Sequence, residues 1–287
     1  MFQKIFASVV VVLLISACSP TIVVRHEGNC CAVHQTVRTT DKADKKREIH
    51  DVALNGKVYS SLWQQHAGEF RALCYQAFNI ATDVVNQRIN MPQTKPLAII
   101  TDVDETFLDN SPYAVTQAKN GNEFDLDTWL EWTSKGEATA FPGSLKFYNY
   151  AASKGIKVFY ITNRNENDKP GTIKNLKNLG FPNADEDHVL VMKETSDKEP
   201  RRQAVLDKYE VIMYLGDNLA DFSTLFYKKS QQERSQQTDN LAADFGKRFI
   251  VLPNSGYGDW ESAVPGFNTK GTPEEKDKAI LKSLKGY

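Results

Sequence analysis

Two pairs of aspartates in this sequence have the spacing of a metal site. Asp102 and Asp104 are two residues apart after an apolar run, so both side chains can face the same side of the chain. Asp217 and Asp221 follow a second apolar run and are four residues apart, which places one above the other if a helix starts there. Carboxylates this close repel one another, and a divalent cation relieves that repulsion. Either pair alone can instead be an N-cap or a surface pair, but two acidic pairs favour a metal site.

A third polar segment has residue types that suit a phosphate group. Thr162 and Asn163 follow another apolar run, and a hydroxyl beside backbone N–H groups can bind phosphate oxygens. The same pair also occurs in ordinary turns. A lysine is expected on the phosphate as well, with Lys198 as the predicted residue and Lys193 as its competitor. The meaning of this segment depends on the elements that position it.

Short, continuous apolar runs predict the strands that carry these residues. Continuous rather than alternating apolar character is typical of strands buried on both faces of a parallel sheet. The predicted strands are Leu97–Thr101, Lys157–Thr162, Val211–Gly216 and Phe249–Leu252, with His188–Met192 as a candidate fifth. Predicted helices lie between them at 143–154, 170–179 and 200–208. This alternation predicts an α/β fold with a doubly wound, mostly parallel sheet, which binds ligands beyond the carboxyl ends of its strands.

The strands belong to a predicted main domain at residues 57–287. Apolar spacing predicts one helix over residues 60–90, which ends at Met91-Pro92 before the first strand. Residues 107–141 interrupt the alternation of strands and helices, and they carry Trp129 and Trp132 on a predicted helix. We interpret this segment as a small helical cap inserted over the edge of the sheet.

Residues 1–17 have the pattern of a bacterial export signal. A basic residue precedes an apolar run of about ten residues, which is too short to span a membrane. The segment Ile15–Cys18 resembles a lipobox, which implies cleavage before Cys18 and lipidation of its sulfur; an ordinary cleavage site with an incidental cysteine is the alternative. Residues 18–56 would then be a polar tether. Ser19 after the cysteine resembles outer-membrane lipoproteins, so we expect a lipid anchor in the bacterial outer membrane.

Composition excludes several classes of protein. Of the 287 residues, 35 are Lys or Arg and 36 are Asp or Glu, so the net charge is −1 and the basic excess of a nucleic-acid binder is missing. A hydrophobic content of 41% is too high for a disordered chain. Apart from the lipidated one, three cysteines remain. Cys30 or Cys31 can pair with Cys74, one thiol must stay unpaired, and no Cys/His cluster indicates zinc.

Taken together, the polar motifs resemble those of one enzyme family. The matching residues are Asp102–Thr106 with Leu108 and Asn110, Thr162–Arg164, Lys198, Gly216–Asn218 and Asp221–Phe222. Their identity and order are similar to the haloacid dehalogenase superfamily, and within it to the class C acid phosphatases. The resemblance covers about residues 60–268, and the lipobox extends it to outer-membrane lipoprotein members that are acid phosphatases or 5′-nucleotidases. Phe107 departs from the family pattern, where a smaller aliphatic residue is usual, and this affects packing rather than chemistry.

The resemblance implies a role for each polar residue. Asp102 would attack phosphorus and form an aspartyl phosphate, while Asp104 would protonate the leaving oxygen and then activate water. Mg²⁺ would be held by Asp102, the backbone carbonyl of Asp104, and Asp217. Asp221 would orient water on the metal or Lys198. The phosphoryl oxygens would be held by Thr162, Asn163 and Lys198.

The resemblance also implies a substrate class. Trp129 and Tyr257 would stack on either side of a nucleobase or another flat group, although core packing is the alternative role for each ring. Nucleoside monophosphates, including nicotinamide mononucleotide, are therefore the expected phosphomonoester substrates. Two other functions stay open: sugar-phosphate hydrolysis or phosphotransfer on the same fold, and a non-catalytic binding lipoprotein such as an adhesin or haem carrier. The oligomeric state is also open, with a homodimer among the alternatives.

Overall fold

The computed structural model describes residues 50–287. The predictions that lie outside the described residues concern the signal peptide, the lipidation site and the two adjacent cysteines (residues 1–17, Cys18, Cys30, Cys31), with nearly all of the tether at 18–56. Within 50–287, none of the helices combines the length and apolar character needed to cross a membrane. Cys74, which the structure does describe, is fully buried with a free thiol.

The centre of the domain is a parallel β-sheet. The strands of the described chain are β1 Leu97–Thr101, β2 Leu108–Asp109, β3 Thr139–Ala140, β4 Lys157–Ile161, β5 Val189–Leu190, β6 Glu210–Gly216 and β7 Phe249–Val251. Five of them form one parallel sheet in the order β5-β4-β1-β6-β7, while β2 and β3 pair antiparallel as a separate ribbon. The central strand β1 is buried along its whole length, as its continuous apolar run predicts. The predicted α/β fold with a mostly parallel sheet is confirmed.

Helices flank the sheet and connect its strands. They are α1 Val52–His66, α2 Gly68–Arg88, α3 Ser111–Lys119, α4 Leu126–Lys135, α5 Ser144–Ser153, α6 Lys169–Leu179, α7 Glu199–Leu206, α8 Gln231–Asn240, α9 Asp259–Ser262 and α10 Pro273–Ser283. The three helices predicted between the strands correspond to α5, α6 and α7. Gly180 ends α6 with a φ of 82°, a left-handed conformation that glycine adopts without steric cost.

Two boundaries predicted from the sequence are wrong. The segment 60–90 is not one helix, because Ala67 has an extended backbone with ψ of 129° and α2 begins after it. The tether does not reach residue 56, because α1 begins at Val52, whose N–H donates to the Asp277 carboxylate of α10 at 2.7 Å. The first boundary is set by a local break in the backbone and the second by a partner distant in sequence. The spacing of apolar residues indicates neither of them.

Residues 107–141 leave the sheet and return to it at one place. The Phe141 N–H donates to the Phe107 carbonyl at 2.8 Å, and β2 pairs with β3, so the two ends of the segment lie together. Helices α3 and α4 lie between these ends, and α4 carries Trp129 and Trp132. The segment is therefore a small helical cap, which we call the cap from here on.

The ring of Phe107 lies in the core at the base of the cap. It is fully buried, with ring centroids 4.8 Å from Phe181 and 5.2 Å from Tyr148. A large side chain at this position therefore extends an aromatic cluster of the core.

Candidate active site

The two aspartate pairs lie at the carboxyl ends of neighbouring strands. The Asp102 N–H donates to the Leu215 carbonyl at 2.9 Å, so the pairing of β1 with β6 extends as far as Asp102. Beyond it the chain turns at Glu105, whose φ of 52° lies in the left-handed region, a conformation that costs on the order of 1 kcal/mol or more. Asp217 directly follows β6. Parallel pairing therefore brings two distant motifs to one end of the sheet.

Three carboxylates and one ammonium group form a cluster at this end. Asp102, Asp217 and Asp221 each offer a carboxylate oxygen, and these oxygens lie within 4.8 Å of one another. The Lys198 ammonium contacts Asp102 Oδ1 and lies 2.6 Å from Asp221 Oδ1. A Cβ atom at Gly216 would lie 2.5 Å from the Asp221 side chain, so the close approach of Asp221 requires glycine there.

The charges of this cluster are incompletely balanced. Burial raises the pKa of Asp102 to about 7, against the opposing effect of the Lys198 ammonium. Burial, with the nearby carboxylates of Asp221 and Asp102, raises the pKa of Asp217 well above its ordinary value. Burial alone would lower the pKa of Lys198, but the two carboxylates that it contacts raise it. Additional positive charge would therefore be stabilised here.

The two candidate lysines lie in different environments. The side chain of Lys193 is 74% exposed and pairs with Glu166 at 3.4 Å on the surface. The side chain of Lys198 is 7% exposed and contacts two carboxylates of the cluster. Lys198 is thus the lysine that reaches the polar end of the sheet.

Asp104 has a separate set of partners. Arg164 Nη2 donates to Asp104 Oδ1 at 2.7 Å, and Arg164 Nε lies 3.0 and 3.1 Å from Oδ1 and Oδ2. Asn110 Nδ2 donates to Oδ1 at 2.8 Å. Thr162 Oγ1 donates to Oδ2 at 3.3 Å. The Asp104 and Thr162 side chains are therefore in direct contact.

Thr162 and Asn163 differ in burial although they are adjacent. Thr162 is buried, and its hydroxyl accepts the Arg164 N–H at 3.1 Å. Asn163 is exposed, and its side-chain oxygen accepts from Arg201 Nη2 at 2.8 Å. Arg201 also donates to the Thr162 carbonyl, so one guanidinium holds both residues of the segment.

Comparison with known proteins identifies the family. The family model described as HAD superfamily, subfamily IIIB (acid phosphatase), matches residues 23–260. The chain belongs to this family. Two solved structures of the class C acid phosphatase from Bacillus anthracis, one with tungstate bound, are 38% identical to it. The tungstate-bound structure matches with a TM-score of 0.79 over 83% of this chain and 99% of that one. The resemblance to the class C acid phosphatases is confirmed.

Plant proteins of the family are more distant relatives. Acid phosphatase 1 of Solanum lycopersicum is 32% identical over 140 residues, which cover 45% of this chain and 54% of that protein. The stem 31 kDa glycoprotein of Glycine max is 24% identical over 202 residues, which cover 67% of this chain and 65% of that protein. The chain thus spans between about half and two thirds of the length of these curated relatives.

The residues of this acid phosphatase family member fit a hard divalent cation. Carboxylate oxygens are the ligands that Mg²⁺ prefers, and three of them converge here. Asp221 already has two partners: the Lys198 ammonium on Oδ1 and the Asn218 N–H, which donates to Oδ2 at 3.0 Å. Asp102 and Asp217 keep carboxylates in the same cluster, and the raised pKa of each reflects burial without enough positive charge. A cation between them would favour the ionised forms.

Each predicted aromatic residue contacts a neighbour or a partner of Asp104. The Trp129 ring, in the cap, lies 5.4 Å from the guanidinium carbon of Arg164. Tyr257 is 41% exposed, but its hydroxyl donates to the buried carboxylate of Glu105. The two rings approach from different elements and make no ring contact with each other among the described residues.

The sequence analysis missed several polar residues of the site. Arg164, Asn110 and Glu105 lie inside the quoted motifs, but nothing in their spacing assigned them a partner. Burial raises the pKa of Glu105 to about 8, with the Asp104 charge as the next cause, and Asn110 donates its N–H to Glu105 at 2.8 Å. Asn254 Nδ2 donates to Asp217 at 2.8 Å from the loop after β7, of which the sequence analysis singled out only Tyr257.

Proposed function

We propose that the chain is a Mg²⁺-dependent phosphomonoesterase that works through an aspartyl phosphate on Asp102. The observation that carries the proposal is the convergence of Asp102, Asp217 and Asp221 with Lys198 at the carboxyl ends of β1 and β6. Membership of the acid phosphatase family supports the reaction class.

Each side chain has a defined part in the proposed reaction. Asp102 attacks phosphorus, and Asp104 exchanges protons first with the leaving oxygen and then with water. Thr162, Asn163 and Lys198 hold the phosphoryl oxygens as negative charge develops. Asp102, Asp217 and the Asp104 backbone carbonyl would hold Mg²⁺, which when bound neutralises charge between the phosphate and Asp102.

Hydrolysis of a chromogenic phosphate with and without a chelator tests this proposal. The full chain should hydrolyse 4-nitrophenyl phosphate, a chelator should abolish the activity, and Mg²⁺ should restore it. Activity that is indifferent to chelators would contradict the metal assignment. If no phosphate ester is hydrolysed at all, the non-catalytic binding lipoprotein is the better reading.

Asp217→Asn should weaken metal binding. An amide offers the cation no negative charge, so we expect the Mg²⁺ concentration for half-maximal activity to rise at least about tenfold, with partial rescue by excess Mg²⁺. A Mg²⁺ titration of initial rates measures the effect. Asp83→Asn, which changes an exposed carboxylate of α2, is the matched control and should leave the titration unchanged. A loss of rate that Mg²⁺ does not rescue would contradict the assignment.

We propose nucleoside monophosphates, including nicotinamide mononucleotide, as the substrate class. Trp129 lies against Arg164, which binds Asp104. Tyr257 contacts Glu105, the residue after Asp104. Two rings at this end of the sheet support a flat leaving group. Stacking contributes about 1–3 kcal/mol per base, so Trp129→Ala or Tyr257→Ala should cost roughly 5- to 150-fold in kcat/KM for 5′-nucleotides. The measurement compares a 5′-nucleotide with a small alkyl phosphate, which has nothing to stack and should lose little.

The comparison within one variant separates stacking from other effects of these rings. Both substrates release an alkyl oxygen, so any disturbance of Asp104 through Arg164 lowers both rates alike and cancels in the ratio. Tyr59→Ala, at an exposed tyrosine of α1, is the control for loss of a surface ring. An equal fall for both substrates would identify the two aromatic residues as packing residues.

We further propose that the protein is anchored in the bacterial outer membrane through lipidated Cys18. The support is the lipobox-like segment Ile15–Cys18 of the sequence. Cys18→Ser should leave hydrolysis by the catalytic domain intact but block acylation, since serine offers no sulfur to the modifying enzyme. Metabolic labelling with a fatty acid and membrane fractionation check this result. Normal labelling and normal membrane extraction of the variant would refute the lipobox interpretation.

A further inference from the structure

We propose that Arg164 is a positioning residue that fixes Asp104 so that Oδ2, and not Oδ1, exchanges the proton with the leaving oxygen. The inference rests on the proposed phosphomonoesterase function and adds a specific residue and a specific atom to it. It follows from the unequal surroundings of the two carboxylate oxygens.

Oδ1 of Asp104 is occupied by donors from two elements. Arg164 Nη2 and Nε donate to it at 2.7 and 3.0 Å, and Asn110 Nδ2 donates at 2.8 Å. From the residues that the structure describes, Oδ2 receives only the longer contacts of Arg164 Nε, at 3.1 Å, and of the Thr162 hydroxyl, at 3.3 Å. The three donors on Oδ1 are N–H groups, which can only donate, so they leave no lone pair of that oxygen for a proton. On Oδ2 one of the two partners is a hydroxyl, which can turn its hydrogen away and accept a hydrogen bond from the protonated carboxyl group instead. Oδ2 is therefore the atom left for proton exchange.

Arg164 is itself held rigidly. Its side chain is 2% exposed, and its Nη1 donates to the buried hydroxyl of Thr172 in α6 at 3.0 Å. The Trp129 ring of the cap covers the guanidinium at 5.4 Å, within the range of a cation–π contact. A planar, two-point donor fixed on both sides can set the rotation of a carboxylate, which a single-point ammonium cannot do.

The cap holds the other donor to Oδ1. Trp132 Nε1 donates to Asn110 Oδ1 at 2.9 Å, which orients the amide so that its Nδ2 faces Asp104. The Asp104 carboxylate is thus held between the end of β4 and the cap. A structural ion pair would serve stability alone, whereas this one turns Oδ2 toward Thr162, the residue predicted to bind phosphate, and the Asp104 side chain stays 16% exposed.

The proton step balances as follows. Asp102 forms a bond to phosphorus as the bond between phosphorus and the leaving oxygen breaks, and the proton on Asp104 Oδ2 passes to that oxygen, which departs as an alcohol. Asp104 is then ionised. It takes a proton from the water that attacks the aspartyl phosphate, which releases inorganic phosphate and regenerates Asp102. If Oδ2 is misplaced, kcat/KM should fall most for substrates whose leaving oxygen is a strong base, because that oxygen departs only when it receives the proton.

The leaving-group dependence of kcat/KM tests the proposal, because this constant reports steps up to formation of the aspartyl phosphate. Arg164→Met should lower kcat/KM for an alkyl phosphate about 100-fold or more, in line with the contribution of general acids, and for 4-nitrophenyl phosphate less than about tenfold. Arg164→Lys keeps the charge but not the two-point geometry, so it should show the same bias with a smaller loss. This variant decides the matter if Arg164→Met does not fold.

Two comparisons distinguish positioning from a purely structural role. Thr172→Val removes the partner that holds Nη1 but leaves every direct contact to Asp104 in place, so it should reproduce the leaving-group bias in a weaker form, whereas a purely structural contact would lower both rates equally. In an Asp104→Asn background, Arg164→Lys should add no further leaving-group bias, since there is no proton left to position. Equal losses for both substrates in Arg164→Lys, or no loss in either, would overturn the proposal. Failure of the wild-type chain to hydrolyse either substrate would instead refute the proposed function.

Discussion

Replacing Asp102 with asparagine is expected to lower kcat by roughly 10⁴- to 10⁶-fold, the range found when an enzyme loses a residue of its covalent machinery. An amide keeps the size of the carboxylate but lacks the charge that attacks phosphorus. Its oxygen can still accept from Lys198, which contacts Asp102 Oδ1, so the fold should survive. Steady-state hydrolysis of 4-nitrophenyl phosphate and a thermal unfolding curve measure both effects.

The covalent role of Asp102 also has a direct readout. Acid quenching of the wild-type chain during turnover should trap phosphate on the protein, and the Asp102→Asn variant should trap none. Asp83→Asn, in α2, is the matched control and should trap as much phosphate as the wild type. Substantial turnover in a folded Asp102→Asn variant would mean that water attacks phosphorus without a covalent intermediate.

Asp104→Asn is expected to lower kcat/KM for alkyl phosphates by about 10²- to 10⁴-fold, the usual contribution of a general acid. An amide can neither give a proton to the leaving oxygen nor take one from water. It also accepts through one oxygen only, so part of the Arg164 guanidinium fork, which contacts both carboxylate oxygens, loses its partner. The loss for 4-nitrophenyl phosphate should be smaller, because nitrophenolate departs without protonation.

A panel of esters with leaving groups of different acidity measures that difference. The slope of log kcat/KM against the leaving-group pKa should become steeper in Asp104→Asn than in the wild type. Parallel slopes would show that Asp104 does not donate the proton. Thermal unfolding of the variant guards against a loss that merely reflects the unpaired Arg164.

The strands were predictable because the sheet imposes a simple requirement on them. A parallel strand covered on both faces must be apolar throughout, and β1, at residues 97–101, meets that requirement without interruption. Polar residues at its carboxyl end, such as Asp102, then mark the edge where the apolar environment stops. The helix break at Ala67 was not predictable in this way, because both flanking helices satisfy the same apolar spacing.

The choice between Lys198 and Lys193 shows where the sequence stops being informative. Both lysines lie in the segment between β5 and β6, and only the family resemblance, not a local pattern, favoured Lys198. The contact between Lys198 and Asp102 joins residues 96 positions apart, and the packing of α7 against the sheet creates it. Lys193, five residues earlier, pairs with a surface glutamate instead.

The sequence by itself determined the fold class, the family and the aspartates, because each of these depends on residue types at short spacing. Only the tertiary structure decided how the side chains pair. Arg164 reaches Asp104 across 60 positions, Asn254 reaches Asp217 across 37, and Tyr257 reaches Glu105 across 152. Relations between residues close in sequence can be predicted from their spacing, because such residues lie on one element whose geometry is known. Long-range pairing depends on how whole elements pack, and buried polar groups then select the partner that satisfies their hydrogen bonds.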